Sequence, residues 1–199
     1  MATDLLNTLL GTGALIGVGG WFVSHRLTSR REETARRDNA ARSHLEVQIE
    51  QLYGPLLGLI QHSRIVFEVA TRRLPTSASG QIDFARFSTN DGEVWRFFIE
   101  SYFLPINARI RDLVRAKMHL LDEGILPRSF EAFFLHEVQF EALHRLWKDK
   151  GLDSSSIQGD GWPPSFEQDV AATLGNLRSR HQAFLRRLGA TRDPSAAAS

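Results

Sequence analysis

The chain has no cysteine among its 199 residues, which excludes a disulfide framework, a thiolate metal centre and a cysteine nucleophile. It has no excess of charge of either sign: 24 Lys and Arg stand against 23 Asp and Glu, for a formal balance of +1. Dedicated nucleic-acid binders carry a basic surplus, so no nucleic-acid partner is expected. Sustained alternation of apolar and polar residues with β-branched side chains is also lacking, and this argues against a sheet. Three catalytic signatures are missing as well: Gly-x-Ser-x-Gly, a Walker A loop and His-Glu-x-x-His. No internal repeat is evident. What remains is a chain with 42% apolar and 24% charged residues, close to globular averages and far from the composition of disordered chains.

The longest uncharged run is at the start. Leu5–Val23 contains nineteen residues, of which only Asn7, Thr8 and Thr12 are polar. As a helix it would be roughly 28 Å long, near the hydrocarbon thickness of a bilayer. Trp21 and Phe22 close it where aromatic side chains favour the interface, and Arg26, Arg30 and Arg31 follow at once. Residues 1–25 are therefore expected to be a single transmembrane anchor in a bacterial inner membrane, N-terminus outside and the rest cytoplasmic. A cleaved signal peptide would carry its basic residues before the apolar run. Gly13, Gly17, Gly20 and Ser24 share one helical face, a small-residue surface on which two such helices could pack, so a homo-oligomer is a candidate state. Arg26, Arg30 and Arg31 are placed to contact headgroups, at roughly 1 kcal/mol for each close arginine.

Residues 26–44 are too polar to be buried and read as a basic helical stalk. From Leu45 apolar residues recur at steps of three and four, and 45–189 reads as a roughly four-helix bundle, all-α, with a disordered tail over 190–199. The first helix carries Leu45, Ile49, Leu52, Leu56, Leu59, Ile60 and Phe67 on its inner side. The second, opened by Asn90 and Glu93 as a capping box, carries Val94, Trp95, Phe98, Tyr102, Ile106, Ile110 and Leu113. Pro55 and Pro105 interrupt these two helices and predict a kink in each. A third helix is expected over Ser129–Lys150, and a fourth from a Ser165/Gln168 cap to Gly189. Phe84, Phe87 and Trp162 are the candidate anchors of the intervening loops.

Two stretches carry a resemblance. Glu50–Leu57 (EQLYGPLL), placed after an apolar segment and a charged stalk, and Phe103–Asn107 (FLPIN) followed by Lys117–Leu121 (KMHLL) resemble motifs of uncharacterised bacterial single-pass membrane proteins with a cytoplasmic helical domain. The resemblance implies the same architecture, and no assigned activity or catalytic residue comes with it.

Chemistry is sparse. Glu141 and His144 stand at i and i+3, half of the Glu-x-x-His pattern that di-iron bundles use twice, and are the only metal candidates; the simpler reading is an exposed pair on a polar face. His136 and His181 point toward the core, and Asn107 is placed to hydrogen-bond the carbonyl freed by Pro105. No catalytic residue and no cofactor is assigned. The leading expectation is a membrane-tethered cytoplasmic interaction or scaffold protein without catalysis, with the bilayer and an unidentified protein as partners. The alternatives are a membrane-disturbing effector assembled through the glycine face, and a metal-dependent bundle enzyme.

Overall fold

The computed structural model describes residues 32–78, 82–121, 125–151 and 161–192. The anchor segment, its glycine face with Ser24, and Arg26, Arg30 and Arg31 lie outside the described residues, as do 193–199. Among the described residues no helix is long and apolar enough to cross a membrane. The chain divides into two compact units, Met1–His44 and Leu45–Ser199. In the first, residues 32–44 are helical (α1) and every side chain but one is exposed, as a polar stalk requires; Glu33 and Arg37 pair along one face at 2.9 Å.

Among the described residues of the second unit, helices are the regular structure, joined by loops, with a single bridge between Thr76 and Ile82. It opens with helical residues 45–48, a π-turn at Ile49–Tyr53 and helix α2 at Gly54–Thr71. Helix α3 (Thr89–Phe98), a second π-turn (Ile99–Phe103) and α4 (Leu104–Ala116) form the next long element. Helices α5 (Arg128–Lys150) and α6 (Pro164–Arg192) complete the bundle. Helix α2 packs on α4, α4 on α5, α5 on α6 and α6 back on α2, closing a four-membered ring around one core.

At both prolines the helix carries a π-turn. In each, the residue before the proline donates its N–H five residues back, Gly54 to Ile49 and Leu104 to Ile99. A proline offers no N–H, and its ring would clash with the carbonyl four residues earlier; one extra residue in the turn moves that carbonyl away. The two turns share a local sequence, Ile49-Glu50-x-x-Tyr53-x-Pro55-Leu56 and Ile99-Glu100-x-x-Phe103-x-Pro105-Ile106, fifty residues apart. The chain thus repeats one short device, eight residues long.

Two expected core positions are corrected, one inside the second π-turn and one late in α2. Tyr102 is 37% exposed, and Phe103 replaces it in the inward series Ile99, Phe103, Ile106, Ile110, Val114. Phe67 is 42% exposed, with Val66 and Ala70 buried instead. Two helix starts also shift. Helix α3 is capped by Ser88, whose hydroxyl accepts from Asp91 N while Asp91 Oδ2 accepts from Ser88 N at 2.9 Å; Asn90 lies inside the helix. Helix α6 starts at Pro164, which suits a first-turn position, so Ser165 is already helical, and the helix runs past Gly189 to Arg192. Helix α5 stops where Gly151 takes a left-handed φ of 62° and donates to Trp147 O.

The core is densest where α5 meets α6. Phe133 stacks on Phe166 at 4.7 Å between ring centres, and Phe130 meets Phe166 edge-on at 4.9 Å. Trp162 covers them from the loop, 5.7 Å from Phe133. At the other end Phe84 reaches Trp95 at 5.9 Å, and Arg96 lies over Trp147 at 4.0 Å. Gln48, buried, donates to Leu120 O at 2.8 Å and ties the start of the unit to the segment after α4. Phe133→Ala is expected to lower unfolding free energy by about 3–5 kcal/mol, and Ser88→Ala by about 1 kcal/mol, both read from urea unfolding curves.

Candidate functional site

The second π-turn borders a place where charge is gathered against the core. Between it, the first turns of α4 and the C-terminal half of α5 lies an open cleft of about 590 Å³. One wall holds Glu100, Leu104, Pro105, Asn107, Ala108 and Arg111; the other holds Glu137, Glu141, His144, Arg145, Lys148 and Asp149.

The charges are matched in a chain. Arg111 donates to Glu137 at 2.7 Å and to Asp112 at 3.0 Å, and lies 3.8 Å from Glu141. Arg145 donates to Glu141 from one turn on. Lys148 donates to Glu100 at 3.0 Å, and the same carboxylate oxygen lies 3.2 Å from His144 Nε2. The Lys148 ammonium above all, with His144 adding to it, holds the Glu100 carboxyl below its ordinary value. Asp112 first, and then Glu137, hold the Arg111 guanidinium above its ordinary value. Glu137 is almost fully buried, a carboxylate that stays in the wall because Arg111 reaches in from the cleft side.

Two polar atoms in this wall have no partner. Asn107 is 3% exposed and His144 8%; Asn107 Oδ1 and His144 Nδ1 are both buried without a hydrogen bond. This oxygen can only accept, whereas the expected bond to a carbonyl freed by Pro105 would be donated by the amide nitrogen. His144 also departs from the exposed pair read from the sequence: its ring is inward against Trp147, at 5.6 Å between centres, while Glu141 faces the cleft. Glu141 and His144 each take a charged partner, and among the described residues no three His, Asp or Glu side chains are grouped to hold a metal ion.

The other singled-out histidines are elsewhere. His136 is buried between Phe140 and Trp162, 5.6 Å from each ring. His181 is half-buried, its Nε2 3.0 Å from Glu46 Oε1.

Away from the cleft, α5 carries a second surface that periodicity alone did not single out. Leu135, Val138, Ala142 and Leu146, spaced by three and four, lie on its outer side; Leu135 is 53% exposed and Val138 60%. The signal was there, since these residues are apolar at helical spacing on the side opposite Phe133 and Phe140. No family model, curated protein or solved structure matches the chain.

Arg111→Met leaves Glu137 buried without its counter-charge and is expected to cost about 1–3 kcal/mol in urea unfolding at neutral pH. Glu100 has a lowered value in the folded chain, so its contribution is present above the ordinary glutamate range and lost as pH falls through the lowered value. Glu100→Gln should therefore flatten the loss of stability between neutral pH and about pH 3 in the same assay.

Proposed function

We propose that this chain is a membrane-tethered helical interaction domain, working without catalysis, whose bundle joins a second copy through the outer face of α5. The observation that carries the reading is the exposed apolar stripe Leu135, Val138, Ala142 and Leu146, three turns long on a helix otherwise fixed in the core. A helix face of this kind exposes apolar area that a partner helix of the same spacing would cover.

A second copy suits the stripe because the helix is complementary to itself when reversed. Antiparallel pairing about the midpoint of the stripe sets Leu135 against Leu146 of the other copy. It also brings the end bearing Glu131 toward the end bearing Lys150. The tether rests on the uncharged Leu5–Val23 run and the arginines after it, which favour a cytoplasmic bundle. The resemblance to single-pass proteins agrees with that arrangement, and Gly13, Gly17 and Gly20 would support the same two-fold association within the bilayer.

Sedimentation equilibrium of the full chain in detergent micelles tests the assembly. The expected result is a dimer, converted to monomer by Leu135→Glu with Val138→Glu while the helical circular dichroism is unchanged. Replacing Gly13 and Gly17 with Leu should weaken the dimer without abolishing it. A wild-type monomer at all concentrations, or a dimer indifferent to the α5 changes, contradicts the proposal.

A further inference from the structure

The charges of this chain balance overall but are unevenly placed along α6. That helix carries its acidic residues, Glu167 and Asp169, near its start. From Val170 to Arg192 it has five arginines and no Asp or Glu, which leaves the rest of the chain with 19 Lys and Arg against 23 Asp and Glu. Neither the α5 stripe nor the cleft explains this separation.

Burial sorts the two sides of the basic half. Leu174 and Leu177 are buried and Phe184 packs against the core, whereas Arg178, Arg180, Arg186 and Arg187 are exposed. Gly175, Ser179 and Ala183, four residues apart on the exposed side, are all small, and the Ser179 hydroxyl donates back to Gly175 O at 2.9 Å. The result is a broad basic surface without a groove. A small anion calls for donors converging in a concave site, while a flat basic face suits an extended anionic plane. Cations also complement the C-terminal dipole of a helix, but that effect fades within the last turn, and Arg178 and Arg180 lie more than about three turns before Arg192.

The direction of the helix selects the plane. Arg64 of α2 donates to Glu167 of α6 at 3.2 Å, and His181 Nε2 lies 3.0 Å from Glu46 Oε1, among the opening residues of the unit. Helix α6 therefore runs antiparallel to the unit's first long element. Its basic half points back toward the end at which the chain enters, and the helix continues about 16 Å beyond His181.

We propose that the C-terminal half of α6 lies against an anionic bilayer, with Arg178, Arg180, Arg186 and Arg187 meeting lipid phosphates as a second attachment beside the anchor. This rests on the tether proposed above, which raises the local concentration of headgroups so that a modest patch suffices. A nucleic acid offers the same phosphates, but the acidic remainder of the chain disfavours a long polyanion.

The lack of cysteine allows a single probe site. The full chain bearing Ala183→Cys, labelled with a nitrobenzoxadiazole fluorophore, is reconstituted in nanodiscs of phosphatidylcholine alone or mixed equally with phosphatidylglycerol, each containing a headgroup-nitroxide lipid. Co-elution with the discs reports the anchor, and quenching of the fluorophore reports α6. The expected result is co-elution with both discs and strong quenching only in the anionic ones, relieved as sodium chloride rises from about 0.05 M to about 0.5 M. Arg178→Gln, Arg180→Gln and Arg186→Gln together should lower the ratio of docked to undocked helix roughly a hundredfold, at about fivefold per arginine. Should that variant fail to fold, lysine at the same three positions must preserve the quenching, because a bilayer responds to the charge. Co-elution with equal quenching in both discs, or with none in the anionic discs, overturns this inference and leaves the anchor standing. So do quenching untouched by the glutamine changes, quenching lost with lysine, and a label that responds to single-stranded RNA but not to anionic discs. Failure to co-elute with either disc overturns the tether and this inference with it.

Discussion

A proline inside a helix withholds one amide hydrogen and pushes against the carbonyl a turn behind it, and two of the long helices of this bundle carry such a proline at mid-length. The chain meets that constraint the same way twice, with a five-residue π-turn ending just ahead of Gly54-Pro55 and of Leu104-Pro105. The added residue keeps the helix running. Directly downstream of each turn the expected inward residues do close the core, Leu56 and Ile60 after Pro55 and Ile106 and Ile110 after Pro105. The departures are Phe103 in place of Tyr102, inside the second π-turn, and Val66 with Ala70 in place of Phe67, further along α2.

The same device explains where the polar chemistry sits. The second turn presents Glu100 toward α5, and α4 then carries Asn107 and Arg111 along the same wall. Facing them, α5 turns inward Glu137 and His144, a carboxylate and an imidazole at positions that a wholly apolar helix would give to Leu or Phe. The buried ionic groups of the wall have counter-charges, Glu137 from Arg111 and His144 from Glu100, which is the condition for keeping them there. Cations and carboxylates alternate through Arg111, Glu137, Glu141 and Arg145, and the Lys148–Glu100–His144 group extends the pattern to the rim. Of these charged groups only Glu137 and His144 are buried; Arg145 and Lys148 stand more than half exposed at the rim.

Much of the bundle was legible from periodicity and punctuation. Gly151 ends α5 because a left-handed residue is needed there, and Trp162 packs on the core from its loop as expected, whereas Phe84 touches Trp95 but stays 58% exposed. Helix starts were less legible. Asn90 and Ser88 both open a plausible box, and the choice falls to Ser88 because its Asp91 partner closes both hydrogen bonds. The faces just after each proline were legible, with Leu56, Ile60, Ile106 and Ile110 buried as the period places them; the single residue inside the second turn, Phe103 rather than Tyr102, was not, since a fixed period has no room for an inserted residue. His144 followed the same rule in reverse: beside Glu141 it reads as surface, and only the neighbouring Glu100, more than forty residues away in sequence, makes its burial tolerable. The recurrence of Ile-Glu-x-x-aromatic-x-Pro was in plain sight and became meaningful once both copies proved to be π-turns.

The functional reading joins these parts to the uncharged segment that precedes them. An interaction domain on a tether needs its bundle on the side of the bilayer that the arginines after residue 25 select, and needs the first residues to remain in the membrane. The most direct measurement is fractionation of the full chain carrying a C-terminal tag, with an alkaline wash of the membranes and protease added to intact spheroplasts. The account predicts a tag that stays with the washed membrane and is digested only after lysis. A tag released by the wash, or digested in intact spheroplasts, would contradict it.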